Sequence, residues 1–317
     1  MDYRSLGNSG LHVSVVGLGC NNFGGRIDLA ASRAVIEAAL DEGVTLFDTA
    51  DIYGMQGGSE NVLGEVLGTR RDDIVLATKF GHQDHDMGYG PAAGAKGGRA
   101  FIRRAVEESL RRLRTDRIDL YQLHTPDPET PIAETIAALH ELVVEGKVRY
   151  IGHSNLSGWQ LAEAAHVARE HGLPPFISAQ NQWSLLDRDI EREVVPAAEH
   201  YGVGVLPYFP LAQGLLTGKV RRGEAIPEGT RLAGRAHLVT ELRLDQVEQL
   251  RALADKMGRS LLDLAIGGLA GRPVVGSVIA GASRPEQVHA NVEAGSWTPT
   301  ADELAAIDEI TAAPADG

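Results

Sequence analysis

Short runs of apolar, often β-branched residues alternate along the chain with longer segments whose apolar positions recur at helical spacing. Eight runs are predicted as strands, at residues 13–19, 45–49, 74–79, 118–124, 150–154, 177–180, 202–208 and 274–279. Amphipathic helices are predicted between them, at residues 30–42, 59–67, 101–113, 131–145, 157–171, 189–201 and 242–256. Most successive strands begin roughly 25–45 residues apart, which is the spacing that a strand–helix unit requires.

This alternation predicts a parallel sheet whose faces are covered by helices. Eight such units favour closure into one (β/α)8 TIM barrel, with residues 1–317 forming a single domain. An open, doubly wound sheet is the alternative, but no GxGxxG motif follows the first predicted strand. The turn residues at 7–10 predict an N-terminal β-hairpin, and residues 210–240 predict a long loop after the seventh strand.

The composition is that of a folded globular protein, with 43% hydrophobic and 23% charged residues. It excludes a disordered or collagen-like chain. No apolar run reaches the roughly 18 residues that a membrane span needs, and residues 1–4 do not begin a signal-peptide pattern. We therefore expect no membrane partner and a cytoplasmic location.

Charge and cysteine content narrow the class of partner further. The net charge of −13 disfavours nucleic acid, because an acidic surface repels phosphate backbones. Cys20 is the single cysteine, which excludes an intrachain disulfide and a cysteine-rich metal site. Residues 82–86 contain two His and two Asp in a Gly-rich loop without an apolar anchor. We interpret this segment as a solvated loop that covers a substrate, and we expect no metal ion.

Unusual polar side chains end several of the otherwise apolar strands. Asp48 ends the second predicted strand, Lys79 the third and His124 the fourth. Tyr53 follows Asp48 closely in the next loop. Because the carboxyl ends of barrel strands meet on the face that carries barrel active sites, we expect these four side chains to share one pocket.

Together these four residues suit proton transfer. A lysine cation stabilises a tyrosinate and so lowers the pKa of the tyrosine, which is about 10 in water. An aspartate holds the lysine as an ion pair, and a histidine hydrogen-bonds the same reacting oxygen. The expected result is a tyrosine that exchanges a proton near neutral pH.

Six segments, in chain order, resemble the signatures of the aldo-keto reductase family. They are FDTADIYG at 47–54, ATKFG at 77–81, RRLRTDRIDLYQLHTPD at 111–127, GKVRYIGHSN at 146–155, QNQWSLLDR at 180–188 and YFPLAQGLLTGK at 208–219. The resemblance runs from about residue 6 to residue 291. It implies a TIM barrel that reduces an aldehyde or ketone to an alcohol with NADPH, by direct hydride transfer and without a metal.

The resemblance implies a role for each of the four polar residues. Tyr53 is expected to be the general acid that protonates the carbonyl oxygen, and Lys79 is expected to lower its pKa. Asp48 is expected to hold Lys79, and His124 to orient the substrate carbonyl. The hydride itself comes from the nicotinamide of the cofactor.

The resemblance also implies a set of cofactor-binding residues. They are Gly19, Cys20, Asn21, Asp48, Ser154, Asn155, Gln180, Tyr208, Pro210, Leu211, Gln213, Gly214, Leu215, Lys219, Gly281, Ser283, Arg284, Gln287 and Asn291. The ring of Tyr208 is expected to stack on the nicotinamide. Ser283 and Arg284, near a predicted helix N-terminus, suit a 2′-phosphate, which favours NADP over NAD. Ala290 departs from the family, which usually has Glu at this place.

Two other functions remain open from the sequence. One is a cofactor-binding regulatory subunit that resembles potassium-channel β subunits, with slow or vestigial turnover. The other is an unrelated TIM-barrel lyase or isomerase that uses Lys79 as a Schiff-base nucleophile. The expected substrate is a small carbonyl compound, and small aldehydes, α-dicarbonyls, ketosugars and polyketide-type ketones all fit. A monomer is the default expectation, with a homo-oligomer as the alternative.

Overall fold

The computed structural model describes residues 1–224, 226 and 231–312. The strands in this part of the chain are β1 (Tyr3–Ser5), β2 (His12–Ser14), β3 (Val16–Gly19), β4 (Leu46–Asp48), β5 (Val75–Phe80), β6 (Ile118–Leu123), β7 (Val148–Ser154), β8 (Ser178–Gln180), β9 (Gly204–Val205) and β10 (Val278–Gly281). Strands β3 to β9 pair in parallel in chain order, and β10 pairs in parallel with β3. This is the order that successive strand–helix units produce.

The sheet closes into a ring between β9 and β10. The backbone N–H of Val205 donates to the Val274 carbonyl at 2.8 Å, and that of Gly276 donates to the Val205 carbonyl at 2.9 Å. Nearer the carboxyl ends of the strands, the N–H of Ile279 donates to the Pro207 carbonyl at 2.9 Å. These bonds complete the barrel and confirm the predicted (β/α)8 fold.

The expected N-terminal hairpin is present as the antiparallel pair β1 and β2. Its turn is closed by a hydrogen bond from the N–H of Leu6 to the Leu11 carbonyl. Both leucine side chains are buried with the residues that fill the barrel, such as Leu46 and Leu120. The hairpin therefore closes the end of the barrel at which the strands begin.

Helices cover the outside of the ring. They are α1 (Leu29–Asp41), α2 (Tyr53–Val66), α3 (Arg99–Leu113), α4 (Ile132–Val144), α5 (Gly158–Glu170), α6 (Val194–Tyr201), α7 (Glu241–Met257), α8 (Leu261–Ala270), α9 (Pro285–Gly295) and α10 (Ala301–Thr311). Side-chain caps fix where several of them begin. Before α5, the Ser157 hydroxyl accepts from the N–H of Gln160, whose side chain accepts from the N–H of Ser157. None of the described helices combines the length and apolar character needed to cross a membrane.

The first barrel strand is shorter than predicted. The apolar run at 13–19 reads as one strand, but the structure ends the hairpin at Ser14 and begins β3 at Val16. The Ser14 hydroxyl donates to the Val16 carbonyl at 2.7 Å, and the Ser14 N–H donates to the Thr45 hydroxyl. These local bonds replace the strand pairing that a continuous run would make.

Two later boundaries also differ from the prediction. Strand β10 replaces the predicted strand at 274–279, because the N–H of Val275 bonds the Arg272 carbonyl in a turn. The predicted helix at 189–201 is a 3-10 turn followed by α6. Pro196 explains the break, because its ring would clash with the fourth carbonyl before it in a continuous helix. Helices α8 and α10 are additional to the predicted ones.

Helices α2 and α3 approach each other closely at Gly64. A Cβ added there would lie 2.3 Å from the Arg112 carbonyl oxygen, which belongs to the backbone and cannot rotate away. We expect Gly64→Ala to lower the free energy of unfolding by about 1–3 kcal/mol, measured by urea titration. Gly234→Ala is the control, because an added Cβ there meets no atom within 4 Å. Equal stability of the two variants would contradict this close packing.

Candidate active site

The four polar residues predicted to share a pocket lie together at the carboxyl end of the barrel. The ammonium of Lys79 donates to Asp48 Oδ2 at 2.7 Å and to the Thr49 carbonyl at 2.9 Å. It lies 5.1 Å from the centroid of the Tyr53 ring. The Tyr53 and His124 rings meet edge to face, with centroids 5.9 Å apart. We call Asp48, Tyr53, Lys79 and His124 the tetrad.

The strand register and the chain after β4 explain this convergence. Asp48 on β4 pairs with Ala77 on β5, which places Lys79 two residues further along the neighbouring strand. The chain then folds back over β5, since the N–H of Asp51 donates to the Lys79 carbonyl at 3.1 Å. The N–H of Tyr53 donates to the Ala50 carbonyl at 3.1 Å and so begins α2 above the ion pair.

The backbone directly after Tyr53 is unusual. Residues 54–57 all have positive φ, including Met55 at 62° and Gln56 at 67°. Side chains other than glycine adopt this conformation at a cost of about 1–3 kcal/mol, so the surrounding contacts must impose it. One contact is the bond from the Gln56 amide to the Asp86 carbonyl at 2.9 Å. The segment therefore links the start of α2 to the loop after β5.

The Asp48 carboxylate is held by more than its lysine. Its Oδ1 accepts from the side-chain amide of Gln180 at 2.8 Å and from that of Gln122 at 3.2 Å. Both glutamines are buried, as are Asp48 and Lys79. Buried charges are tolerated when they are paired and hydrogen-bonded, which describes this arrangement.

The pKa directions show how the tetrad holds its protons. Burial raises the pKa of Tyr53 above its usual value, and the nearby Lys79 cation offsets this only in part. Lys79 acts on the Tyr53 pKa in the expected direction, but burial outweighs it, so the pKa is not brought near neutrality. Burial lowers the pKa of Lys79, but Asp48 and Tyr53 outweigh it, so the net pKa is raised. At neutral pH, Tyr53 is thus a neutral hydroxyl beside a charged ammonium.

The pKa of His124 is shifted downward, in contrast to those of Tyr53 and Lys79. Burial lowers its pKa well below the usual value, and the Lys79 cation lowers it further. The imidazole is therefore neutral over the physiological pH range. A neutral imidazole has one nitrogen that donates and one that accepts, so His124 can hydrogen-bond an oxygen beside Tyr53 without adding a charge.

A cavity of about 810 Å³ opens above the tetrad. Most of the predicted cofactor-binding residues line it, namely Gly19, Cys20, Asn21, Asp48, Ser154, Asn155, Gln180, Tyr208, Pro210, Leu211, Gln213, Gly214, Lys219, Gly281, Ser283, Arg284 and Gln287. Tyr53 and His124 line it as well, whereas Lys79 lies beneath its surface. The cavity thus reaches from the tetrad to the N-terminus of α9.

Two predicted cofactor contacts do not line this cavity. Left-handed backbone at Gln213 and Gly214 directs the next residue inward, so Leu215 is fully buried against α7 and α8. Asn291 is buried one helical turn beyond Gln287, beside a small void next to β3 and β10. At both places the local backbone turns the predicted side chain away from the cavity.

Other lining residues are not among the predicted contacts, although Ile52 lies within the matched segment at 47–54, and Phe209 and Thr217 lie within that at 208–219. They are Asn22, Arg26, Ile27, Ile52, His82, Phe209, Thr217, Val220, Leu232 and Ile279. Position relative to a motif is the one available signal. Asn22 directly follows Gly19–Asn21, and His82 follows Lys79 by three residues.

A chain of side-chain amides and hydroxyls forms the floor of the cavity beside the tetrad. The Tyr208 hydroxyl donates to Asn155 Oδ1 at 2.8 Å. The amide of Asn155 donates to the His124 carbonyl and to the Ser154 hydroxyl. Asn155 has a left-handed φ of 63°, so its side chain is held by both backbone and hydrogen bonds. These hydrogen bonds place polar side chains along the floor of the cavity.

The opposite end of the cavity has the character of an anion site. Arg284 is the N-cap of α9, and its side chain makes no capping hydrogen bond. The side-chain oxygen of Gln287 accepts from the backbone N–H and the hydroxyl of Ser283, which orders the turn. A helix N-terminus carries partial positive charge, and a guanidinium beside it strengthens the attraction for a phosphate.

The loop at 81–98 reaches the cavity through His82, and it is solvated as predicted at 84–86, where all three side chains are exposed. The ammonium of Lys96 donates to three backbone carbonyls within residues 82–85, at 2.5–2.8 Å. The ring of His82 lies edge to face with His124, with centroids 4.7 Å apart. Within the described part of the chain, no group of His, Cys, Asp and Glu is arranged to hold a metal ion.

Comparison with known sequences agrees with this architecture. The profile of the Aldo/keto reductase family matches residues 15–312. An uncharacterized oxidoreductase, YrpG, of Bacillus subtilis (strain 168) is 39% identical over 300 residues, covering 93% of this chain and 91% of the relative. A probable voltage-gated potassium channel subunit beta of Arabidopsis thaliana is 36% identical, with coverage of 93% and 91%. An L-glyceraldehyde 3-phosphate reductase of Escherichia coli O157:H7 is 35% identical, with coverage of 98% and 92%.

The structure is a parallel (β/α)8 barrel. Its candidate site, a buried lysine–aspartate pair and a tyrosine under one cavity, lies at the carboxyl ends of the strands. The profile match covers most of the chain, and so do these three relatives. The chain belongs to the aldo/keto reductase family. The family and the names of its relatives support an oxidoreductase.

The Lys79–Asp48 pair generates a stability prediction. Asp48→Asn leaves a buried ammonium without its counter-charge, so we expect the free energy of unfolding to fall by about 3 kcal/mol in urea titrations. In the double variant Asp48→Asn, Lys79→Met, neither member of this pair carries a charge, and the loss is expected to be smaller. A double variant less stable than Asp48→Asn alone would contradict the importance of the pairing.

Proposed function

We propose that the protein, acting as a single domain, reduces a small aldehyde or ketone to an alcohol with NADPH. The observation that carries the proposal is the arrangement of the tetrad beneath the cavity, with the Tyr53 ring close to both the Lys79 ammonium and the His124 imidazole. Membership of the aldo/keto reductase family and the oxidoreductase names of relatives support it.

Tyr53 is proposed as the general acid. Its hydroxyl is protonated at neutral pH, because burial raises its pKa. As negative charge develops on the substrate oxygen, the hydroxyl proton moves to that oxygen and leaves a phenolate. The Lys79 cation stabilises this phenolate, and Asp48 keeps the ammonium in place. Proton transfer from a positioned group of this kind contributes about 10²–10⁴-fold to a rate.

His124 is proposed to orient the substrate carbonyl. The neutral imidazole donates one hydrogen bond to the carbonyl oxygen, beside the Tyr53 hydroxyl. Since it carries no charge, it does not compete with Tyr53 as the proton donor. The ring of His82 lies edge to face with His124 and lines the same part of the cavity.

The residues around the cavity fit a nicotinamide dinucleotide. When bound, the cofactor supplies the hydride. The amide nitrogen of Gln180 is used by Asp48, so its oxygen is the group that it offers to a carboxamide. Asn155 and Ser154 are proposed to hold the same carboxamide, and Tyr208 to stack on its ring. Gly19 and Gly281, on the neighbouring strands β3 and β10, both line the cavity.

Arg284 and Ser283 are proposed to select NADPH over NADH. A 2′-phosphate at the N-terminus of α9 gains the charge of the guanidinium and the partial charge of the helix. A free 2′-hydroxyl gains neither. The preference for NADPH over NADH therefore depends on the end of the cavity at the N-terminus of α9, which is the end opposite the tetrad.

A regulatory role is the second candidate, supported by the 36% identity to a probable potassium channel subunit beta. In that case the protein would bind NADPH with ordinary affinity and turn over slowly on every carbonyl. Rapid turnover on a small carbonyl compound would favour the reductase.

The role of Tyr53 can be tested by removing its hydroxyl. We expect Tyr53→Phe to lower kcat for carbonyl reduction by about 10²-fold or more, because the proton donor is lost. NADPH affinity, measured by fluorescence titration, is expected to stay nearly unchanged. Tyr201→Phe, at a partly exposed position on α6, is the control. Full activity of Tyr53→Phe would rule out this mechanism.

The role of Arg284 can be tested by comparing the two cofactors. We expect Arg284→Ala to weaken NADPH binding by about tenfold or more, since a charge-assisted hydrogen bond is lost, and to leave NADH binding nearly unchanged. Arg192→Ala, at an exposed position outside the cavity, is the control. Equal weakening for both cofactors would disprove the 2′-phosphate contact.

A further inference from the structure

A second charged cluster lies buried behind the tetrad, and the proposed mechanism does not use it. It consists of Asp51, Glu60 and Arg112, which we call the buried acidic cluster. Glu60 accepts from Arg112 Nε at 2.6 Å through one oxygen. Through the other it accepts from the Thr78 hydroxyl at 2.6 Å. Glu60 is thus fully hydrogen-bonded and paired with the cation of the cluster.

Asp51 is the exception within this cluster. Its side chain is fully buried, yet neither carboxyl oxygen has a hydrogen-bond partner of good geometry among the described residues. Leaving a buried carboxylate in this state is unfavourable, so the group resists ionisation. Burial and the nearby Glu60 raise the pKa of Asp51 to about 7, although Arg112, the Ile52 N–H and Lys79 oppose them.

Three contacts connect this cluster to the tetrad. The N–H of Asp51 donates to the Lys79 carbonyl at 3.1 Å, and the Lys79 ammonium donates to the Thr49 carbonyl. The backbone and the side chain of Lys79 therefore both bind the segment at 49–51. Thr78, which bonds Glu60, is the residue directly before Lys79. The side chain of Arg112 packs against Gly57, where an added Cβ would lie 2.3 Å from its Cδ.

The third contact bears on Tyr53. Gly57 ends the left-handed segment that follows the tyrosine, with φ of 98°. Arg112 fills the space beside it, so the guanidinium that pairs with Glu60 also holds the turn that positions the Tyr53 ring. A change of charge at Asp51 therefore acts electrostatically on Arg112, which packs against this turn, as well as on Lys79.

We propose that Asp51 is a positioning residue whose buried carboxyl, by gaining or losing a proton, makes the rate of carbonyl reduction depend on pH near neutrality. This inference rests on the proposed function. The groups that face Asp51 are Glu60 from α2, Arg112 from α3, Lys79 from β5, Tyr121 from β6 and Tyr89 from the 81–98 loop. Tyr89 and Tyr121 stay neutral at these pH values, since burial raises the pKa of both.

The direction of the effect follows from charge. When Asp51 is protonated, the positive charge of Lys79 acts on Tyr53 with less opposition, and the phenolate formed during reduction is stabilised. When Asp51 ionises, its negative charge disfavours that phenolate. Reduction is therefore faster below the Asp51 transition and slower above it.

The test is the pH profile of kcat with saturating NADPH and a small aldehyde, for the wild type and Asp51→Asn. We expect the wild-type kcat to fall by about three- to tenfold through a transition near pH 7, and we expect this transition to be missing in Asp51→Asn. Glu60→Gln is the second variant. It removes the repulsion that raises the pKa of Asp51, so its transition is expected at lower pH.

The matched control is Asp41→Asn at the exposed end of α1, which should retain the wild-type profile. Stability provides a readout that does not need activity. Because the pKa of Asp51 is higher in the folded chain than in the unfolded one, ionisation destabilises the fold as the pH rises from about 4 to 7. Relative to Asp51→Asn, the wild-type folding equilibrium constant is expected to fall by about tenfold or more between pH 5.5 and pH 8.

The outcomes separate this inference from the proposed function. If carbonyls are reduced but Asp51→Asn keeps the wild-type profile, the inference is overturned and the reductase stands. The same holds if the stability difference between the two proteins does not change with pH. If no carbonyl is reduced by the wild type, the proposed function fails, and the role of Asp51 in reduction fails with it. A lower activity of Asp51→Asn with an unchanged pH transition would indicate a merely structural role and would also overturn the inference.

Discussion

The buried ion pair of Lys79 and Asp48 is the interaction on which the site depends. An ammonium with no exposure to water needs a counter-charge and hydrogen-bond acceptors, and both come from the chain at the end of β4. The same carboxylate then binds amides from β6 and β8. One charged pair thus ties together strands on two sides of the barrel, and the position of the Tyr53 ring is defined relative to it.

Because of this arrangement, the acid strength of Tyr53 depends on its burial and on the position of the Lys79 ammonium. Burial makes Tyr53 a weaker acid than free tyrosine, and the lysine compensates only in part. The compensation grows as charge develops on the phenol, because a fixed cation interacts more strongly with a phenolate than with a hydroxyl. In the proposed mechanism, the benefit of Lys79 is therefore greatest at the transition state, where a catalyst needs it.

Much of the architecture could be predicted from the alternation of apolar runs and helical segments, and the site from polar residues that end those runs. The convergence of Asp48, Lys79 and His124 follows from parallel pairing alone, because neighbouring strands end on one face. Quantities set by the environment could not be predicted. The raised pKa of Tyr53 depends on how deeply α2 buries it, which no local pattern encodes.

Left-handed turns account for much of the remaining difference. Gln213 is a residue that a sequence pattern does not place at positive φ, yet this turn decides that Leu215 faces the core. Likewise, Pro196 is visible in the sequence, but its effect on the helix at 189–201 depends on where the helix would begin. Such features follow from the competition between tertiary packing and local preference.

The junction between β9 and β10 has a consequence for motion. Strand β9 has two residues, and few backbone bonds join it to the segment that leads into β10, whereas β6 and β7 pair over most of their length. Local opening of a fold begins where the fewest hydrogen bonds must break, so we expect the ring to open transiently at this junction. The cavity crosses the junction, with Tyr208 on one side and Gly281 on the other. A molecule that fills the cavity would bridge both sides, so amide hydrogens along the junction would exchange more slowly while it is bound.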